Sequence, residues 1–157
     1  MKALVVFDSV FGNTEQIARA IGSALGDVDV QAVGDAKPEQ LAGLSLLVVG
    51  SPTRAFSPTP AIKKFLARIP KGGLKGVHIA AFDTRISVDD VDSRILPPLI
   101  KVFGYAAKPI ADRLGKKGGV PVIPAEGFFV DGEEGPLKDG ELERAADWAK
   151  QIMTNLR

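Results

Sequence analysis

An apolar run that ends in a polar turn and continues into an amphipathic helix constrains this fold more than any other feature of the sequence. The run spans Leu4 to Phe7, and the turn that follows reads Asp8-Ser9-Val10-Phe11-Gly12-Asn13-Thr14. Apolar residues then recur at helical spacing, at Ile17, Ala20, Ile21 and Leu25. The pattern predicts a strand, a turn and a helix in direct succession.

The turn between this strand and helix has the chemistry of an anion site. The first N–H groups of a helix have no intrahelical partner and lie at the positive end of the helix dipole. Ser9 and Thr14 add hydroxyl donors. Asn13 adds an amide, and Gly12 permits the backbone conformation that brings N–H groups together. Because no Lys or Arg lies between Asp8 and Thr14, a phosphate would be held by hydrogen bonds alone. The alternative is an ordinary turn capped by Asn13 or Thr14.

Strand-like and helix-like segments alternate along the rest of the chain, which is typical of a parallel sheet covered by helices. Apolar or alternating runs predict strands at residues 28–33, 44–50, 77–82, 120–123 and 127–130. Helical spacing predicts helices at residues 60–69, 105–117 and 141–156, with a short connection at 35–42. Pro121 and Pro124 favour an edge or broken strand, because proline cannot donate to a sheet ladder.

Composition excludes several classes of function. The 157 residues carry a formal net charge of +1 and no cysteine, which argues against nucleic-acid binding and excludes disulfides and thiolate chemistry. His78, the single histidine, lies near the start of a predicted strand, so we expect it to be structural. No apolar run has the length of a membrane span or of a signal peptide. We therefore expect a cytoplasmic protein with no membrane partner.

The first turn resembles the FMN-phosphate turn of the flavodoxins, a hydroxyl-rich segment that ends in Thr and is followed by a helix with Ala at its fourth position, here Ala18. Phe11 stands where many flavodoxins have Thr or Ser, which removes one phosphate-facing hydroxyl. The resemblance implies an α/β, flavodoxin-like, doubly wound three-layer sandwich in a single domain of residues 1–157, with a five-stranded parallel sheet of order 2-1-3-4-5. It also implies a phosphate site formed by Ser9, Phe11, Gly12, Asn13 and Thr14.

The loop that begins at Ser51 resembles the flavin-contacting loop of flavodoxin-like proteins. Its Ser-Pro-Thr-Arg start is similar to a segment of the WrbA-type NAD(P)H:quinone oxidoreductases. In both groups this backbone lies along the isoalloxazine ring, so the resemblance implies a ring lined by Ser51, Pro52, Thr53, Arg54 and Phe56. Phe56 is the only aromatic residue nearby, so we expect thin stacking on the ring. The alternative is that Phe56 packs on the core.

Asp83, Thr84 and Arg85 follow the fourth predicted strand, and we expect them to form a polar turn. They resemble the loop that meets the pyrimidine side of FMN. An arginine at that place, Arg85 or Arg54, would favour the reduced flavin by up to about 4 kcal/mol, at about 4 Å and an effective dielectric near 20. The raised reduction potential would suit a flavoprotein that faces a quinone or another substrate. The alternative is that both arginines are solvated surface residues.

Residues 86–103 look like an insertion relative to short flavodoxins, beside the expected position of the ring. Ser87 and Asp90 have the spacing of a capping box. Apolar residues recur there at helical spacing, at Leu96, Leu99, Ile100 and Phe103. This stripe packs on the parent fold, closes over the flavin as a lid, or forms a dimer contact.

Three functions remain open at this point. The resemblance favours an FMN-binding electron-transfer protein that works with a redox partner protein or a small-molecule electron acceptor. The second function is an FMN-dependent oxidoreductase that reduces quinones or similar acceptors with NAD(P)H. The third is a binding or scaffold protein that keeps the fold without the flavin. Electron transfer itself needs no catalytic acid or base, because the cofactor carries the chemistry.

Overall fold

A computed structural model describes residues 1–54, 57–86 and 105–157 of the chain. In this part of the chain six strands form one sheet: β1 (Ala3–Phe7), β2 (Asp29–Ala32), β3 (Leu46–Pro52), β4 (His78–Ile86), β5 (Val120–Pro121) and β6 (Glu126–Val130). The described α-helices are α1 (Asn13–Ala24), α2 (Pro60–Arg68), α3 (Ala107–Lys116) and α4 (Glu141–Leu156). Two 3-10 helices, Val33–Asp35 and Pro38–Leu41, connect β2 to β3.

The strands are parallel and follow the order β2-β1-β3-β4, with β5 and β6 both paired to the free edge of β4. Val120 lies opposite His78, and Glu126 lies opposite Phe82, so β5 and β6 are the two halves of one broken strand. The predicted order 2-1-3-4-5 is confirmed. Pro124 lies in the break, as the proline pattern predicts.

Two apolar cores lie on opposite faces of the sheet, because parallel strands in this fold class are buried on both sides. Val5 of β1 belongs to the core beneath α1 and α4, whereas Leu4 and Val6 belong to the core beneath α2 and α3. The first core contains three rings in edge-to-face contact, with centroids 6.0 to 6.2 Å apart: Phe82, Phe128 and Trp148. The result is the three-layer sandwich that the alternating segments predict.

β3 and β4 both run further than their apolar patterns indicate. β3 reaches Pro52 and β4 reaches Ile86, with Ser51 paired to Asp83. The prediction that residues 83–85 form a turn is therefore wrong. These polar residues continue the strand because β3 on one side and β6 on the other supply ladder partners. The remaining predicted element limits agree with the structure to within two residues, and the helix predicted at 141–156 is observed at those limits.

His78 begins β4, at the end of the sheet opposite the loops, which is the position predicted for it. Predictions for Phe56, for the Ser87–Asp90 capping box and for the apolar stripe within residues 86–103 concern positions outside the described residues, apart from Ile86. Among the described helices, none has the length and apolar character needed to cross a membrane. The same part of the chain contains no cluster of His, Asp or Glu suited to a metal ion.

Candidate functional site

The carboxyl ends of β1, β3 and β4 meet at one edge of the sheet, where the residues around them enclose a cavity of about 270 Å³. This edge includes the point between β1 and β3 at which the strand order reverses, the usual place for ligands in open α/β sheets. In the described part of the chain the cavity is lined by Ser9, Val10, Phe11, Asn13, Thr14, Pro52, Thr53, Arg54, Thr84, Arg85, Ile86, Val130 and Glu133.

Most of the predicted site residues line this cavity, namely nine of the thirteen: Ser9, Phe11, Asn13, Thr14, Pro52, Thr53, Arg54, Thr84 and Arg85. Gly12, Ser51 and Asp83 are not part of its lining. Phe56 lies outside the described residues. The structure thus brings together three segments that are far apart in the sequence.

The turn after β1 is held by its own backbone and by one serine. Gly12 adopts a left-handed conformation, with φ of +92°, and forms the N-cap of α1. The Ser9 hydroxyl oxygen accepts hydrogen bonds from the N–H groups of Gly12, at 3.1 Å, and Glu15, at 3.4 Å. Capping by Asn13 or Thr14 is therefore not what the structure shows. Ser9 keeps its hydroxyl proton to donate, and the N–H groups of Asn13 and Thr14 have no intrahelical acceptor.

The side chains of Asn13 and Thr14 form hydrogen bonds with other parts of the protein. The Asn13 Nδ2 group donates to the carbonyl oxygen of Glu134 at 3.1 Å. The Thr14 hydroxyl lies 2.8 Å from the hydroxyl of Thr84, and both residues are buried. Backbone N–H groups and the Ser9 hydroxyl are donors that this turn offers to an anion without breaking either contact. The two side-chain contacts fix the start of α1 against the segment after β6 and against β4.

Ser51 and Thr53 hold the second of these segments, which is the end of β3 and the loop that follows it. Ser51 is fully buried, and its hydroxyl oxygen accepts the N–H of Thr59 at 3.0 Å. Thr53 donates its N–H to the carbonyl oxygen of Thr84 at 3.0 Å, and its hydroxyl oxygen accepts the N–H of Ala106 at 3.2 Å. Ser51 therefore positions this loop without facing the cavity, whereas Thr53 lines it.

Arg54 lies at the exposed mouth of the cavity. Its backbone exchanges two hydrogen bonds with Ser57, at 2.9 and 3.0 Å, which close a tight loop. Its guanidinium carbon lies 5.9 Å from the centre of the Phe11 ring, a cation–π distance. Phe11 is 43% exposed, so this pair forms part of the rim between the first and second segments.

Arg85 is held rigidly at the opposite side of the cavity. Its Nε and Nη2 groups donate to the two carboxylate oxygens of Asp83, each at 2.7 Å. Its guanidinium carbon lies 3.7 Å from the centre of the Tyr105 ring. A Cβ on Gly127 would fall 2.0 Å from the Arg85 Nε, so only glycine leaves room for the guanidinium there. Arg85 is therefore not a solvated surface residue.

Asp83 is fully buried behind Arg85 and also accepts the N–H of Ala107, at 2.8 Å, at the start of α3. Burial raises the pKa of the Asp83 carboxyl, while the hydrogen bonds from Arg85 and Ala107 act against the rise. An ionised Asp83 compensates the charge of Arg85. Arg85 therefore presents to the cavity a guanidinium whose positive charge is balanced by Asp83. The sequence alone suggests an unpaired cation at this place.

Comparison with known proteins identifies the fold. No family model and no curated protein matches the sequence. Solved structures match over nearly the whole chain, and three of them illustrate the similarity. A flavodoxin from the domain Archaea is 24% identical, with a TM-score of 0.76 and 99% of each chain covered. Oxidised flavodoxin 1 from Bacillus cereus is 16% identical, with a TM-score of 0.77 and 98% of each chain covered. A flavodoxin, WrbA-like protein from Agrobacterium tumefaciens is 19% identical, with a TM-score of 0.73 and 99% of this chain and 97% of that chain covered.

The chain has the flavodoxin-like fold. The predicted fold class is confirmed, and so is the resemblance to flavodoxins and WrbA-like proteins on which the sequence interpretation relied.

One wall of the cavity is formed by residues that the sequence does not indicate as site residues. Val130, the last residue of β6, and Glu133, in the segment that follows, line this wall, and Val10 and Ile86 are further apolar residues of the lining. The Asn13 contact to Glu134 holds this segment against α1. The available signal is topological, because a segment that follows the fifth strand leaves the sheet at the same edge as the other three. Glu133 is the carboxylate of the lining, and it works against anion binding.

Proposed function

We propose that this cavity binds FMN and that the chain is an FMN-dependent electron-transfer protein. The observation that carries the proposal is the convergence of the first turn, the end of β3 and the end of β4 on one cavity at the reversal of strand order. Solved structures of the same fold are named flavodoxins, which supports a flavin as the ligand. A redox partner protein or a small-molecule acceptor would complete the electron transfer.

The residues of the first turn fit a phosphate group. Gly12 is the left-handed N-cap of α1, and the cavity-lining Asn13 and Thr14 begin the helix, where the first N–H groups lack intrahelical acceptors and the helix dipole adds partial positive charge. The Ser9 hydroxyl supplies one further donor. Phe11, Asn13 and Thr14 would contribute through their backbone, since the side chains of Asn13 and Thr14 are engaged elsewhere.

The ends of β3 and β4 would hold the flavin ring. Bound FMN would supply the redox chemistry, and the protein would bind it and set its potential. Pro52, Thr53 and Arg54 form one side of the cavity, and Thr84 and Arg85 form the other. Arg85 would offer N–H donors to the ring, and Asp83 would limit its effect on the potential by compensating its charge. This compensation favours a carrier over a high-potential, quinone-facing enzyme.

An FMN-dependent oxidoreductase is the second candidate, and Arg54 is the residue that favours it. Arg54 is exposed at the mouth of the cavity, and it has no carboxylate within salt-bridge distance among residues 1–54, 57–86 and 105–157. Such a cation suits an anionic co-substrate. Steady-state oxidation of NAD(P)H in the presence of a quinone distinguishes the candidates, because a pure carrier shows none. A purified protein that is colourless and ignores added FMN would indicate the flavin-free scaffold.

A matched pair of glycine variants tests the phosphate site. Gly12 and Gly26 lie at opposite ends of α1, both with positive φ and both with open space where a Cβ would be. Alanine at either position costs about 1–2 kcal/mol of backbone strain. We expect Gly12→Ala to weaken FMN binding about tenfold and Gly26→Ala to leave it unchanged, as measured by quenching of flavin fluorescence. Equal losses in both variants, or a wild-type chain that binds riboflavin as tightly as FMN, would refute the phosphate site.

A further inference from the structure

We infer that a second cavity, lined by other residues than the first, binds a small apolar carboxylate. This cavity measures about 460 Å³ and lies between α2 and the 3-10 helices that connect β2 to β3. Its size falls within the roughly 300–1,000 Å³ typical of small-molecule sites. The described linings of the two cavities share no residue, so the inference does not depend on the proposed FMN site.

The cavity arises from the unusual connection between β2 and β3. Successive parallel strands of one sheet are usually joined through an α-helix that covers the sheet. Here the chain passes from Ala32 to Leu46 through two single-turn 3-10 helices, which cover less surface. Apolar side chains beside α2 therefore stay only partly buried, among them Val33, Ala36, Leu41 and Phe65.

The charges of the lining have one sign. Lys64 and Arg68 lie one helical turn apart on α2, both exposed, and they are the only charged residues in the described lining. Within the described part of the chain neither has a carboxylate partner. Asp35 and Glu39 belong to the connecting helices but do not line the cavity. An apolar cavity with two unpaired cations at its rim is complementary to an apolar molecule that carries one carboxylate.

The length of the cavity favours a small molecule over a partner helix. The α2 wall runs from Ala61 to Arg68, which at 1.5 Å per residue is about 10 Å. A typical helix of about 11 residues would be about 17 Å long and would extend well past this wall. A medium-length acyl chain fits along the wall, with its carboxylate next to Lys64 and Arg68.

Titration calorimetry of the purified chain with octanoate, hexanoate and octanol tests this inference. We expect octanoate to bind at one site, and each methylene gained between hexanoate and octanoate to tighten binding by up to about fourfold. The double variant Lys64→Gln/Arg68→Gln should weaken octanoate binding about fivefold and leave octanol unaffected. Lys63→Gln, a neighbour on α2 outside the lining, should change neither ligand.

Three results would overturn the inference. Octanoate fails to bind at millimolar concentration, the double variant binds octanoate as the wild type does, or Lys63→Gln loses as much affinity as the double variant. An acidic amphipathic peptide that binds beside α2 and that octanoate does not displace would also assign the cavity to a protein partner. FMN titration of the same double variant should match the wild type, so failure here is distinguishable from failure of the FMN site.

Discussion

Two acid–arginine pairs in this molecule are built alike but lie in different surroundings. Asp83 and Arg85 stand at the cavity, whereas Glu141 and Arg144 join α4 to β6. In each pair the arginine donates two hydrogen bonds to the carboxylate and a backbone N–H donates a third. Each guanidinium also stacks on an aromatic ring. Since neither Glu141 nor Arg144 lines the cavity, an acid–arginine pair by itself does not mark a binding site.

The pKa values of the two acids shift in opposite directions, which separates the pairs. Burial raises the pKa of Asp83, and the hydrogen bonds to its carboxylate offset only part of that rise. Burial acts on Glu141 too, but the hydrogen bonds from Arg144 and from the Phe129 N–H outweigh it and lower the pKa. The surroundings of Glu141 therefore favour its ionised form. The surroundings of Asp83 disfavour the ionised form relative to a carboxyl group in water. Such perturbed groups cluster at functional sites.

The largest expected effect is on stability, when the pair at the cavity is broken. Asp83→Ala leaves Arg85 and the Ala107 N–H without their acceptor, and we expect the free energy of unfolding to fall by about 3 kcal/mol. Urea denaturation of the wild type and of Asp83→Ala measures this difference in the free energy of unfolding. The control is Glu15→Ala, which removes an exposed pair with Arg19 on α1 and should cost under about 1 kcal/mol. Similar losses in both variants would mean that the Asp83 pair is no more than a surface contact.

The second effect concerns the pair at α4. Glu141→Gln removes the charge and one of the two acceptor oxygens, so at least one of the three hydrogen bonds to this side chain is lost. We expect the free energy of unfolding to fall by about 1.5 kcal/mol at neutral pH, with FMN affinity unchanged. Denaturation and flavin titration together measure it. A loss of FMN affinity in Glu141→Gln would contradict the separation of the two pairs.

The pH dependence of the two variants should have opposite signs. The folded pKa of Glu141 is lowered, so its contribution is present above its unfolded value of about 4.3 and is lost as pH falls further. The folded pKa of Asp83 is raised, so its contribution is present below its unfolded value and is lost as pH rises through the folded pKa. Denaturation of wild type, Glu141→Gln and Asp83→Asn across acidic pH checks both signs.

The third effect is on the flavin. Asp83→Asn keeps the size of the side chain, but it has one acceptor oxygen where the carboxylate has two, and it leaves Arg85 with an uncompensated charge. We expect the two-electron reduction potential of bound FMN to rise by about 20 mV, the equivalent of about 1 kcal/mol for a partly screened charge. Redox potentiometry measures it, with Glu141→Gln as the variant that should not change the potential. A fall in potential would show that Arg85 does not face the flavin.

The smallest effect comes from the exposed acid of the cavity. Glu133→Gln removes a negative charge near the expected phosphate, and we expect FMN to bind about twofold more tightly at low salt. The matched control is Glu143→Gln, an exposed acid on α4 outside the cavity lining. Unchanged or weaker binding in Glu133→Gln would place the phosphate away from this wall.

The sequence predicts those features that depend on neighbouring residues. The apolar run, the Gly12 turn and the periodicity of α1 lie within one short segment, so the strand, the turn and the helix can all be inferred from it. The broken fifth strand follows from Pro121 and Pro124 for the same reason. The helix at 141–156 is likewise set by its own periodicity.

The sequence does not predict features that depend on distant partners. Asp83 and Arg85 read as a turn because their polarity hides the ladders that β3 and β6 supply on both sides. The pairing of Asp83 with Arg85 depends on the space left by Gly127, more than forty residues away in the chain. The engagement of Asn13 with Glu134, and the place of Glu133 in the cavity, likewise arise only when the sheet is assembled.

A crystal structure of the chain grown with FMN tests the central claim most directly. We expect the phosphate oxygens within hydrogen-bond distance of the Ser9 hydroxyl and the first N–H groups of α1, and the ring between Thr53 and Arg85. FMN bound outside this cavity, or a cavity still empty at saturating FMN, would contradict the account and leave the flavodoxin-like fold as its only established part.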